Sequence, residues 1–194
     1  MNKSILKTPR YLAQYAESSQ LRKDDIDSIY PVFTNENNQD SIWNRAKFEL
    51  FLAFRRDENL LDVSLLAKST QLSEKLIEEL FTNEIRITTF PIVNNKGAKL
   101  AKSLVVELSA GMGIHSFTTN SEQSQALDII HKATKKDFFV LFNDVFVDSS
   151  FMLAVTAGLL ARTSELSKYA FSGEVSELGD VLPINSAQKK TRTL

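Results

Sequence analysis

The chain has 194 residues, 43% of them hydrophobic and 24% charged, enough to bury a core in one or two domains. Its 23 basic and 24 acidic side chains leave a formal charge of −1, so no global field recommends nucleic acid or an anionic membrane as partner. The absence of cysteine excludes disulfides, thiolate metal ligands and a cysteine nucleophile.

Two histidines, His115 and His131, are too few to build a His-rich metal site or an obvious catalytic relay, so neither a metal nor a cofactor is expected. The patterning reads them as a strand-face and a helix-surface residue. No apolar run approaches the roughly 20 residues that span a bilayer, and "MNKSILKTPRYLAQYAESSQ" lacks the apolar centre of a signal peptide. The expected location is the cytoplasm, with no membrane partner. No Gly-x-x-x-x-Gly-Lys-Ser/Thr loop occurs, so ATP-driven work by this chain alone is not expected.

From residue 1 to about residue 90 the pattern is helical. After the polar loop "TNENNQD", Ser41 suits an N-cap, and Ile42, Ala46, Glu49, Leu50 and Ala53 recur with a period of three to four. Two short helices follow, Val63 to Lys68 and Ser73 to Thr82, joined by "STQL", with Ser73 as N-cap and Glu74 in the first turn. Their spacing resembles a helix-turn-helix, a winged-helix-like or interaction module. A groove-reading second helix needs basic or amide side chains, whereas "SEKLIEELF" offers Glu74, Glu78 and Glu79 against one lysine, so a protein contact is expected here rather than DNA.

Past "FPIVNNKGAK" the period changes to two. "KSLVVELSAG" reads as a strand with Leu104, Val106 and Leu108 on one side, and "GMG" then turns into a second strand, "IHSFTT", in a hairpin-like arrangement. "SEQSQALDIIHKATKK" is an amphipathic helix with Ala126, Ile129, Ile130 and Ala133 inward, and "DFFVLFNDVFV" suits a buried strand. The nearly uniformly apolar "SSFMLAVTAGLLARTSEL" reads as a buried helix, and "KYAFSGEV" and "DVLPI" as two strands around "SELG". The order β, β, α, β, α, β, β indicates an α+β domain over residues 91–194, behind a helical module over residues 1–90.

Three motifs in this second part carry a resemblance. "VVELSAGMGIHSFTT" looks like the opening hairpin of a ComM-type domain. "SSFMLAVTAGLL" resembles the Lon helix that opens with the nucleophile, and "FSGEVSELGDVLPI" is similar to the family's strand, Thr-Gly-Glu, loop Gly and "VLPI" segment nearly position by position. Over roughly residues 104–190 the chain thus resembles the proteolytic domain of the Lon protease family and the Lon-like domains of ComM and RadA. That resemblance implies an α+β proteolytic domain, C-terminally truncated, and an ATP-independent serine endopeptidase working through a Ser/Lys dyad. Carried over residue by residue, Ser150 or its neighbour Ser149 is the nucleophile, and Lys190, beside Lys189, is the base.

Such a dyad needs a desolvated lysine amine to take the serine proton, and backbone N–H groups at the start of a helix opening at Ser150 to hold the oxyanion. The partners implied are a protein or peptide substrate and a regulatory protein or fused sensor domain, as in CRISPR-associated Lon-SAVED proteases, with room for a homo-oligomer. Asp148-Ser149-Ser150-Phe151-Met152 stands where Lon has Gly-Pro-Ser-Ala-Gly, and Asn185-Ser186 where Lon tends to have two glycines. ComM and RadA keep the fold without the dyad. The competing expectation is therefore a non-catalytic regulator, with the helix-turn-helix-like segment as the DNA- or protein-binding part on a Lon-like scaffold. In that case Ser149 and Ser150 are helix caps, and Glu174 braces its loop.

Overall fold

The computed structural model describes residues 8–24, 29–34, 40–94, 97–161, 166 and 168–182, a mixed α and β chain. It falls into two compact units, Met1–Asn83 with Asn143–Val145, and Glu84–Phe142 with Phe146–Leu194. The second unit begins with a strand, so Phe90, expected as the end of the helical module, lies inside it.

The first unit is built on α1 (Pro9–Glu17) and α2 (Ser41–Arg56). Pro9 sits in the first turn of α1, where its missing N–H costs nothing, and Ala13 and Ala16 bring α1 close to α2. The cap of α2 is Asp40, not Ser41: the Asp40 carboxylate accepts from the Ile42 N–H at 2.9 Å. Ser41 is the first helical residue, and its hydroxyl donates to Asp144 at 2.6 Å. A carboxylate in extended backbone reaches the second N–H of the helix, which leaves the serine free to turn elsewhere. The inward stripe of α2 holds Ala46, Leu50 and Ala53 as expected, together with Phe48, Phe51 and Phe54, whereas Ile42 is exposed.

Around that stripe, Phe51 stacks on Phe81 with ring centroids 4.6 Å apart, and Tyr30 tilts against Phe54 at 5.7 Å. The Tyr30 hydroxyl accepts from the Asp62 N–H at 2.6 Å and donates to the Leu60 carbonyl at 3.2 Å. Helix α3 (Val63–Thr70) is capped by Asp62, and α4 (Glu74–Thr82) by Ser73, whose hydroxyl accepts from the Leu76 N–H at 3.2 Å. Between them Gln71 takes a left-handed backbone, φ 59°, which closes the turn in three residues, Gln71, Leu72 and Ser73. One charged side chain of α2 is fully buried: Lys47, whose amine desolvation lowers from an ordinary 10.5 to about 8.

The second unit is a four-stranded sheet with two helices and a small separate hairpin. Strands β1 (Ile85–Asn94) and β2 (Gly97–Glu107) pair antiparallel along their length, Ile85 facing Val106 and Asn94 facing Gly97. The other edge of β2 takes β4 (Phe138–Phe142), antiparallel, and β4 takes β3 (Ile114–Ser116), parallel, in the order β1-β2-β4-β3. The hairpin expected between "KSLVVELSAG" and "IHSFTT" therefore does not form. Both edges of β2 are occupied by longer partners, and β3 leads instead through α5 (Ser121–Thr134) to β4 beside it, a β-α-β crossover.

Asn120 opens α5 with a reciprocal capping box: its carbonyl oxygen accepts from the Gln123 N–H at 2.9 Å, and Gln123 accepts from the Asn120 N–H at 3.1 Å. Helix α6 (Met152–Leu160) packs on β1 and β2. Gly158 allows that approach, since a Cβ there would lie 3.2 Å from Val105 Cγ2. Among the aliphatic side chains of the core stands an aromatic cluster, Phe90, Phe142, Phe146 and Phe151, packed edge to face or tilted at 5.0–6.4 Å. Strands β5 (Glu174–Val175) and β6 (Val181–Leu182) form the second, two-stranded sheet.

Candidate functional site

Three of the residues that the motifs single out, Ser149, Ser150 and Glu174, meet in the second unit, where the turn before α6 lies beside the entry to β5. Asp148, two residues ahead of Ser150, accepts from the Ser150 N–H at 3.0 Å, closing an Asx turn, and the same carboxylate oxygen accepts from the Ser150 hydroxyl. Ser149 donates its hydroxyl to Glu174 Oε1 at 2.5 Å. Gly173 bridges the two segments through its backbone, its N–H donating to the Ser150 carbonyl and its carbonyl accepting from the Leu153 N–H, both at 3.0 Å. A side chain at 173 would spoil this contact, because a Cβ would stand 3.2 Å from Leu153 Cδ2 and 3.3 Å from Val181 Cγ1.

Several features differ from what a Ser/Lys peptidase requires. The helix opens at Met152 rather than at Ser150, with Phe151 in the cap position and no side-chain cap. The amides of its first turn are engaged: Met152 N–H donates to the Ser149 carbonyl at 3.0 Å and Leu153 N–H to Gly173. The Ser150 N–H is held by Asp148. An oxyanion hole made from those donors is therefore filled by the protein's own acceptors, because the Asp148 turn satisfies the chain before the helix begins. Ser150 is 2% exposed. Lys189 and Lys190, with Pro183 and Ile184 of the "VLPI" segment, lie outside the described residues. The hydroxyls of Ser172 and Thr156 are buried with no hydrogen-bond partner among the described residues.

Sequence reasoning singled out Glu174 as a brace but missed Asp148 as the acceptor for Ser150. The signal was there, in an aspartate two residues before a serine at the mouth of a helix.

The histidines form a second constellation, around the Gly111–Gly113 turn. His115 Nε2 lies 2.7 Å from the Met112 carbonyl, and His131 Nδ1 lies 2.8 Å from the Lys136 carbonyl and 3.4 Å from Asp137 Oδ1. Asp137 Oδ2 accepts from the Gly111 N–H at 2.6 Å. The Gly113 amide first, then the Gly111 amide, His131 and the Met112 amide hold the Asp137 carboxyl below its usual range, against the opposing cost of desolvation. Both histidines thus secure a turn whose glycines need positive φ, 89° at Gly111 and 80° at Gly113. Among the described residues no group of three or more His, Asp or Glu side chains could hold a metal ion. No helix there is long and apolar enough to cross a membrane.

No protein-family model matches the chain, and no curated protein matches it.

Proposed function

We propose that the chain is a non-catalytic regulatory protein, with a Lon-like second unit as scaffold and the helix-turn-helix-like pair α3–α4 as a protein-binding element. The observation that carries this reading is Ser150: it is 2% exposed and its hydroxyl donates a hydrogen bond to Asp148, while the hydroxyl of Ser149 donates one to Glu174. Both serines act as braces between the α6 turn and the Ser-Gly-Glu segment. The exposed face of α4 carries Glu74, Lys75 and Glu78, which repels phosphate and suits a basic protein surface. Incubation of the full chain with unfolded casein tests the first half: no cleavage above background is expected, and cleavage lost in Ser150→Ala would overturn it. Titration with duplex DNA tests the second half, since tight binding that weakens steeply with salt is the opposite of what acidic α4 predicts.

A second reading is a Lon-like serine endopeptidase in which Ser150, or Ser149, attacks the peptide carbonyl and Lys190 takes its proton. It is favoured by the pairing of the serine turn with the Ser-Gly-Glu segment through Gly173, since these are the two pieces that the Lon resemblance brings together. For this reading to hold, Ser150 must leave Asp148, and first-turn amides of α6 must leave their carbonyls. Loss of casein cleavage in both Ser150→Ala and Lys190→Ala, with folding intact, would establish it over the scaffold.

A further inference from the structure

A groove runs along the edge of β3 that no other described strand occupies. Phe138 N–H donates to the Gly113 carbonyl at 3.1 Å, and Ile114, His115 and Ser116 lie opposite Phe138, Phe139 and Val140. In a parallel ladder of this register, alternate residues bond inward, so His115 turns both its backbone groups toward β4. The N–H and C=O groups of Ile114 and Ser116 then face away from the sheet, where β3 is the last of the described strands. The ladder stops just beyond, because Phe142 N–H donates at 2.9 Å to the Thr118 hydroxyl instead of to a strand carbonyl.

Helix α5 supplies the other wall. Ser124, Leu127 and Asp128 fall on one face at the i, i+3, i+4 spacing and, with Thr119 and the β3 residues Ile114, His115 and Ser116, line a cleft of ≈ 120 Å³. That is room for about one side chain. Leu127 is 2% exposed and gives an apolar floor, while Ser124 and Asp128 are exposed on the rim. Among the described residues that line the cleft, Asp128 is the one carboxylate and His115 the one basic side chain, its Nε2 turned to the Met112 carbonyl at 2.7 Å. Lys132, one turn further along α5, is held by Glu177 at 2.6 Å.

We propose that this groove docks an extended peptide segment from a protein partner by strand addition. The peptide's backbone pairs with Ile114 and Ser116, and one of its aliphatic or basic side chains enters the cleft, with a lysine or arginine meeting Asp128. The donors and acceptors of an open strand edge set the extended conformation of the occupant, and the lone carboxylate at the rim sets its charge. The groove uses none of Ser149, Ser150 or Glu174, so the proposal stands whether or not the second unit is catalytic.

The test uses the full chain, isotope-labelled, titrated with a fluorescein-labelled octapeptide of alternating valine and lysine and with its valine–glutamate counterpart. Saturable binding of the lysine peptide is expected, with the largest amide shifts at Ile114 and Ser116, and weaker binding of the glutamate peptide. Ser116→Pro removes one outward N–H at an edge position that tolerates proline, and should weaken binding by about five- to tenfold, the value of one hydrogen bond. Asp128→Lys changes only an exposed side chain and should reverse the preference between the two peptides. No saturable binding, shifts centred elsewhere, or equal affinity for both peptides would overturn the proposal. Should Ser116→Pro fail to fold, the wild-type shifts and Asp128→Lys decide the matter by themselves.

Discussion

Replacing Lys47 by methionine keeps most of the side chain's length and apolar bulk while removing a charge that the first unit buries completely. Burial lowers the amine from 10.5 to about 8, and at about 1.4 kcal/mol for each tenfold change in proton affinity this sets a ceiling of about 3 kcal/mol on the cost of holding the proton. Residual solvent screening and the polar interactions that the amine makes reduce the net gain expected from Lys47→Met to about 2 kcal/mol at pH 7.

The sign of the pH dependence follows from which state binds the proton more tightly. Between pH 8 and 10.5 the unfolded chain keeps a proton that the folded chain has lost, so wild-type stability gains from this group as pH rises through that window. The advantage of the methionine variant is therefore fully present below pH 8 and vanishes by pH 10.5. Urea unfolding followed by fluorescence of Trp43, the single tryptophan and one turn ahead of Lys47 on α2, gives the difference directly. A methionine variant that is less stable at pH 7, or whose advantage persists unchanged at pH 10.5, would refute the assignment of desolvation as the dominant effect.

The Gly111–Gly113 turn gives a second pH dependence, at the acid end of the scale. Asp137 is held below its ordinary 3.8, so its contribution to stability is present above that value and is lost as pH falls through the lower folded-state value. Asp137→Asn should flatten the acid limb of the stability curve and speed amide hydrogen exchange at Gly111 and Gly113. Gly173→Val should cost about 2 kcal/mol in urea unfolding of the second unit, because its branched side chain must displace Leu153 and Val181. Phe142→Ala, at the middle of the aromatic core, should cost about 3–5 kcal/mol in the same measurement.

Periodicity was enough for most elements of the fold. The amphipathic spacing in "SEQSQALDIIHKAT" gives α5, the uniformly apolar "MLAVTAGLL" gives α6, and Ser73 starts α4 as its side chain demands. What periodicity did not settle was pairing. Only Ile85-Arg86-Ile87-Thr88 alternates in Ile85–Asn94, too short a run to separate β1 from the helical half by pattern, and the partner of β3 is β4 rather than the strand that precedes it. Strand pairing depends on which edges remain open after folding, and that is a property of the whole sheet. The serine turn was legible as a place and not as a state. The motifs located Ser149, Ser150 and Glu174, whereas the engagement of their hydroxyls and of the α6 amides depends on side-chain directions in one three-residue turn.

Treatment of the full chain with a fluorophosphonate, followed by intact mass and peptide mapping, bears most directly on the scaffold role of the second unit. A hydroxyl that is buried and committed to Asp148 should form no adduct at pH 7–8, and the mass should remain that of the unmodified chain. A stoichiometric adduct on Ser150 or Ser149, absent from the corresponding alanine variant and from Lys190→Ala, would contradict the scaffold and make the second unit a serine hydrolase.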